Sequence, residues 1–134
     1  MIMKGLTSSI VKTLTTGTLM PCTDNSGAKV VYIISALRYK GTRGRGPQVG
    51  VGDVVIASVR KGKPDMVKKV VKALIVRQKK EFRRANGTRI FFEDNAAVLI
   101  NDDMLPVGTE IKGVVAREIA ERFPKVAAIS AGVV

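Results

Sequence analysis

The sequence contains no histidine and no tryptophan, and its 134 residues include one cysteine, Cys22. Without histidine, the commonest general base and the commonest transition-metal ligand are both missing. One cysteine makes neither an intramolecular disulfide nor a zinc site, and it fits a reducing compartment. With no histidine to activate it, Cys22 reads as a small core residue on a strand. Aromatic residues make up only 4% of the chain, which argues against stacking on bases as the main way of holding a single strand. Long apolar runs are absent too. The longest, around "VVYII", falls far short of the ~20 residues of a spanning helix. The first residues, "MIMKGLTSSIVKTLTTG", lack the continuous apolar core of a signal peptide. The chain reads as soluble and intracellular.

Catalytic constellations are equally scarce. The carboxylate pairs Glu93/Asp94 and Asp102/Asp103 are sequence neighbours, which on a strand point to opposite faces and do not converge on one bond. They read as turns and lack the loop spacing of a calcium site. "GTRGRGPQVGVG" does not match the phosphate-loop pattern and runs into a strand, not a helix; "KGKP" lacks that motif's first glycine. The expectation is no catalytic residue, no metal ligand, no cofactor and no enzyme.

What the chain does have is aliphatic residues and positive charge. Hydrophobic residues reach 46%, and Val and Ile favour strands because branched side chains pack well on a pleated surface. Lys and Arg total 23 against 11 Asp and Glu, a net charge of +12. The excess is concentrated. Residues 1–37 carry +2, residues 38–89 carry sixteen basic against three acidic side chains, and residues 90–134 carry −3. A merely soluble surface intersperses the two signs, so this segregation points to an anionic partner.

The patterning gives strands at 18–22, 28–37, 53–60, 68–77, 88–100 (one or two) and 110–116, separated by Gly-rich or polar turns. "REIAERF" (117–123) places Ile119, Ala120 and Phe123 on one helical face, Pro124 ends that helix, and "KVAAISAGVV" adds at most another helical turn. The expected fold is mainly β: a small closed barrel with a projecting basic β-ribbon and short C-terminal helices. One domain is expected over 1–134, with barrel and ribbon in about 18–116 and the helical part in about 117–134.

Three basic segments are the candidate interface with folded RNA. The first is the glycine-rich loop with Lys40, Arg43 and Arg45. The second surrounds "KGKP": Arg60, Lys61, Lys63, Lys68 and Lys69. The third is "RQKKEFRRANGTR" (77–89), with Arg77, Lys79, Lys80, Arg83, Arg84 and Arg89. Its "ANG" supplies positive-φ residues for a hairpin turn, so it reads as a ribbon whose arms lead into the core strands "ALIV" and "IFF". Arginine pairs with phosphate oxygens bidentately and lysine acts as a point charge. The acidic C-terminal part is poor for RNA and is left to contact protein, through Arg117, Glu118, Glu121, Arg122 and Phe123.

Longer stretches carry a resemblance. "CTDNSGAK" (22–29), "VGVGDVVIASVRKGKP" (49–64) and "ALIVRQKKEFRRANGTRIFFEDNAAVLI" (73–100) resemble the universal large-subunit ribosomal protein fourteen family. "KGKP" and "FEDNA" are similar to its archaeal/eukaryotic-type branch. The likeness runs over about 18–134, and the role of the first dozen or so residues stays open. It implies a five-stranded barrel with a β-ribbon and short C-terminal helices, and a cytoplasmic protein of the ribosome that binds large-subunit ribosomal RNA. It also implies contact with small-subunit ribosomal RNA at an intersubunit bridge. Implied protein neighbours are the third and twenty-fourth large-subunit types, with an anti-association initiation factor meeting the C-terminal region. The competing class is a free RNA-binding translation or ribosome-maturation factor with a similar basic barrel. An RNA enzyme is disfavoured by the missing histidine. A membrane-surface protein is disfavoured by the lack of a basic amphipathic helix.

Overall fold

The computed structural model describes residues 8–37 and 47–134. In chain order the elements are β1 (Leu14–Thr15), β2 (Leu19–Pro21), β3 (Ala28–Ala36), β4 (Gln48–Val49), β5 (Val54–Gly62), β6 (Val70–Arg77), β7 (Phe82–Arg83), β8 (Arg89–Ile90), β9 (Ala96–Ile100) and β10 (Ile111–Val115). Helices α1 (Arg117–Arg122) and α2 (Pro124–Ala128) follow, then β11 (Ser130–Val133). The β-branched runs form the long strands β3, β5 and β6, and the fold is mainly β.

Five strands form one antiparallel sheet in the order β2-β3-β5-β6-β9. Closure of this sheet into a barrel was expected, and here the structure differs: the ladder stays open. Strand β2 is only three residues long and ends on Pro21, which has no N–H to continue pairing. The two edges nevertheless meet just beyond it. An isolated parallel bridge joins Cys22 to Ala97, and Thr23 N–H donates to the Ala97 carbonyl at 3.0 Å. A side chain then takes the place of a strand, as Asp24 Oδ2 accepts the Leu99 N–H at 3.0 Å.

One face of the sheet is buried along all five strands, and the other is buried mainly at β6 and β9, leaving the far side of β2 and β3 exposed or half-buried. On one, Met20, Val31, Ile33, Val55, Ala57, Val59, Ala73, Ile75, Ala97 and Leu99 form a core drawn from all five strands. On the other, Leu74, Val76, Ala96, Val98 and Ile100 pack with Phe82, Ile111, Val115, Ile119, Phe123 and Val126. Every residue of β9 is buried. That is why "AAVLI" reads as an unbroken apolar run, without the alternation of a half-exposed strand. Each such aliphatic side chain contributes about 1.5–3 kcal/mol on burial.

The helical tail is revised in one respect, at its end. Helix α1 ends at Arg122, before Pro124 as expected, and Pro124 stands at the first position of α2, the further helical turn, where its missing N–H costs no hydrogen bond. After α2 the chain becomes β11, parallel to β10 with Val115 opposite Val133. Ser130 Oγ donates to the Ala127 carbonyl at 2.6 Å, a local bond that competes with continuing the helix.

The ribbon also differs. Strands β7 and β8 pair over two residues each, Phe82 with Ile90 and Arg83 with Arg89. They lie against the body instead of projecting: Phe82 is buried in the core and Ile90 packs on it. Ser9 bridges to Arg83 on the outer edge, with Ser9 N–H donating to the Arg83 carbonyl at 2.9 Å. "IFF" is therefore not a core strand. Ile90 ends β8, Phe91 is exposed, and the core strand is β9.

Candidate nucleic-acid interface

The hairpin at 82–90 turns through Arg84, Ala85, Asn86 and Gly87. Gly87 N–H donates to the Arg84 carbonyl at 2.9 Å, and Arg84 N–H to the Thr88 carbonyl at 2.8 Å. Gly87 has φ +86°, a conformation that favours glycine. Asn86 Oδ1 accepts the Thr88 N–H at 2.9 Å, fixing the other side of the turn.

Pleating then divides the ribbon's charges. Arg83 and Arg89 are directly opposed and exposed. Arg89 Nη1 lies 3.0 Å from Glu81 Oε1, a surface pair worth little. Lys79 and Lys80 are exposed, and Lys79 N–H is held by Asn95 Oδ1 at 2.8 Å. Arg84 is turned inward and is only 9% exposed. Its Nε and Nη2 each donate to the Glu118 carboxylate at 3.1 Å, and Nη2 also donates to the Val134 carbonyl at 2.6 Å. Ser8 Oγ completes the cluster by donating to Glu118. Burial pushes the Glu118 carboxyl up, but the hydrogen bonds from Arg84 and Ser8 outweigh it and hold the group below its ordinary range.

Arg77 is also largely withdrawn. Its Nε is 3.3 Å from Asp94 Oδ1 but too poorly aligned for a hydrogen bond. The guanidinium lies over Gly113, where an added Cβ would come within 2.7 Å of Nη1.

The second basic segment wraps the β5–β6 turn. Arg60, Lys61, Lys63, Lys68 and Lys69 are all exposed. The Arg60 guanidinium lies 4.2 Å from the centre of the Tyr32 ring, a cation–π contact that orients it. Lys68 adopts φ +69°, as its N–H and that of Lys69's partner Val59 close the turn: Lys68 N–H donates to Val59 at 2.8 Å and Val59 N–H to Lys69 at 2.9 Å. Lys40, Arg43 and Arg45 lie outside the described residues.

Two cations that the sequence reading omitted join this side. Lys29 and Lys112 line a cleft of about 260 Å³ together with Lys63, Cys22 and Asp24. Asp24 is the only acid there and is already occupied, accepting from Ser26 Oγ at 2.6 Å, Cys22 Sγ at 3.1 Å and Leu99 N–H. Lys29 had a signal, since it ends "CTDNSGAK"; Lys112, in the acidic third of the chain, had none. Burial and the adjacent Asp24 carboxylate raise the Cys22 thiol to about 12, so it stays protonated.

The residues expected to contact protein are placed unevenly. Arg117 is exposed, but Glu118 and Phe123 are buried. Arg122 Nη1 donates to the Gly52 carbonyl at 3.0 Å, and Glu121 is half-buried. Among the described residues no group of three or more Cys, Asp or Glu could hold a metal ion, and no helix is long and apolar enough to cross a membrane.

Comparison with known proteins gives the family. Residues 13–134 match the family model described as ribosomal protein L14p/L23e. A large ribosomal subunit protein uL14 of Methanocorpusculum labreanum is 56% identical over 128 residues, covering 96% of this chain and 97% of the relative. The uL14 of Methanothrix thermoacetophila is 49% identical over 132 residues, covering 98% and 100%. That of Halorubrum lacusprofundi is 49% identical with the same coverage. The likeness thus spans the ribbon, both basic segments and the helical tail: the chain belongs to the ribosomal protein L14p/L23e family.

Proposed function

We propose that this protein is a structural, non-enzymatic component of the large ribosomal subunit, in the cytoplasm, and that it holds folded ribosomal RNA. The family match over residues 13–134 carries the assignment. The geometry supports the manner of binding. Arg83, Arg89, Lys79 and Lys80 on the ribbon and Arg60, Lys61, Lys63, Lys68 and Lys69 at the β5–β6 turn are exposed and reach phosphates. Arg84 and Arg77 are held by the protein's own acids and position the ribbon instead. Lys40, Arg43 and Arg45, outside the described residues, are read as phosphate contacts on charge alone.

We read residues 1–134 as one domain, and the five strands as a barrel whose seam is completed by Asp24. The finer partners follow the family resemblance: small-subunit RNA at a bridge, the third and twenty-fourth large-subunit proteins, and an anti-association initiation factor. For the protein contacts we favour the outer side of α1, where Arg117 is presented and Glu121 and Arg122 are half-exposed. Glu118 and Phe123 fix the helix from below.

Sucrose-gradient sedimentation of a lysate, before and after a high-salt wash, tests the assignment. Stoichiometric migration with the large subunit in both is expected. Release by salt, or a position at the top of the gradient, would support a free RNA-binding factor instead.

A further inference from the structure

The ribbon carries one residue that phosphate binding does not explain. Phe91 is 67% exposed, the most open aromatic ring among the described residues. A single exposed apolar side chain is ordinary on a protein surface. Phe91 is distinguished by what surrounds it and by what holds it. Arg89 and Phe91 are exposed while Ile90 and Phe92 pack towards the core, so the strand alternation continues past the end of β8. The outward face therefore groups Phe91 with Arg89 and with Arg83 directly across the hairpin. Of the acids near that face, Glu81 is bound to Arg89, and Glu93 lies exposed two residues beyond the ring.

The backbone under the ring is also fixed. Phe92 N–H donates to the Gln78 carbonyl at 3.1 Å. Phe82 is buried below, and Arg84 is tied to Glu118. A ring presented on a rigid, cationic hairpin loses little conformational freedom on binding.

We propose that Phe91 is a stacking platform for an unpaired base of ribosomal RNA, with Arg83 and Arg89 taking the phosphates on either side. This rests on the RNA-binding reading above and adds a base contact to it. A flat π-face beside a pair of guanidinium groups suits a splayed nucleotide in a loop or bulge. An apolar surface of a protein partner would fit the ring but would leave two guanidinium groups facing it.

The test uses the full chain and protein-free large-subunit ribosomal RNA, with affinity measured over a range of salt concentrations. Phe91→Ala is expected to weaken binding about five- to hundredfold with an unchanged salt slope, because no phosphate contact is lost. Phe91→Trp should restore affinity and Phe91→Leu should not, since leucine keeps the apolar bulk without a π-face. Arg83→Ala should flatten the log–log slope by about 0.7–0.9. Wild-type affinity in Phe91→Ala overturns the proposal, as does full rescue by leucine. So does a defect seen only when other ribosomal proteins are present, which would place a protein over the ring. If Arg83→Ala flattens the slope while Phe91→Ala is silent, the base contact fails and phosphate binding by the ribbon stands. If both are silent, both readings of the ribbon fall.

Discussion

At the scale of the residue, neighbours of identical type have opposite roles. Arg83 and Arg84 are indistinguishable in sequence, yet one faces solvent and the other is bound to Glu118. Which one turns inward depends on pleat and register, and no composition rule reports either. Removing one partner of a buried pair strands the other charge, at a cost of about 3–5 kcal/mol. Arg84→Ala should therefore lower the unfolding free energy in urea by about 3 kcal/mol or more, and Arg83→Ala by less than about 0.5 kcal/mol. Glu118 is held below its ordinary 4.5 in the folded state. Its contribution is fully present above that value and is lost as pH falls through the lower, folded one. Stability measured from pH 6 down to 2 should show this acid-labile component in the wild type and not in Glu118→Gln. Cys22, raised from 9.0 to about 12, should react with iodoacetamide at pH 8 about a thousandfold more slowly than an exposed cysteine. Mass spectrometry during a urea titration should show alkylation appearing only with unfolding.

At the scale of the element, the strands were readable where their side chains were β-branched, and the hairpin where "ANG" set the turn. The ribbon's failure to project was not, because it depends on Phe82 being buried in the core and on Ser9 pairing with the outer edge of Arg83, a contact across more than seventy positions. Strand β11 was hidden for a similar reason: "SAGV" has no strong preference of its own and becomes a strand by lying beside β10. Gly87 is the point at which the ribbon depends on one residue. A Cβ there would meet nothing within 4 Å, so a substitution is penalised only through the backbone. Gly87→Ala should cost about 1–2 kcal/mol in thermal or chemical unfolding. It should leave the folded core spectroscopically unchanged.

At the scale of the whole molecule, the division of charge was the most legible property. Residues 38–89 carry the excess and residues 90–134 are net acidic. Among the described residues most of the central cations are exposed, and Lys112 crosses from the acidic part to join Lys29 and Lys63. The open seam was not legible, since it depends on Pro21 ending a strand and Asp24 reaching Leu99. If phosphate is the partner of the basic side, exposed acids elsewhere contribute only repulsion. Asp103→Lys with Glu110→Lys should leave affinity for ribosomal RNA unchanged or raise it, measured by filter binding at fixed salt. A loss greater than about threefold would place RNA on the acidic side as well.

The inward turn of Arg84 also has an order in time. Its partners lie 34 positions later, at Glu118, and 50 positions later, at the Val134 carbonyl. A chain made from its N-terminus emerges with this guanidinium unclaimed, and the ribbon is then one cation richer than in the finished protein. Any polyanion nearby competes for it until the helical tail arrives. Completion of the chain withdraws Arg84 from that competition and leaves the ribbon with only the cations on its outer face.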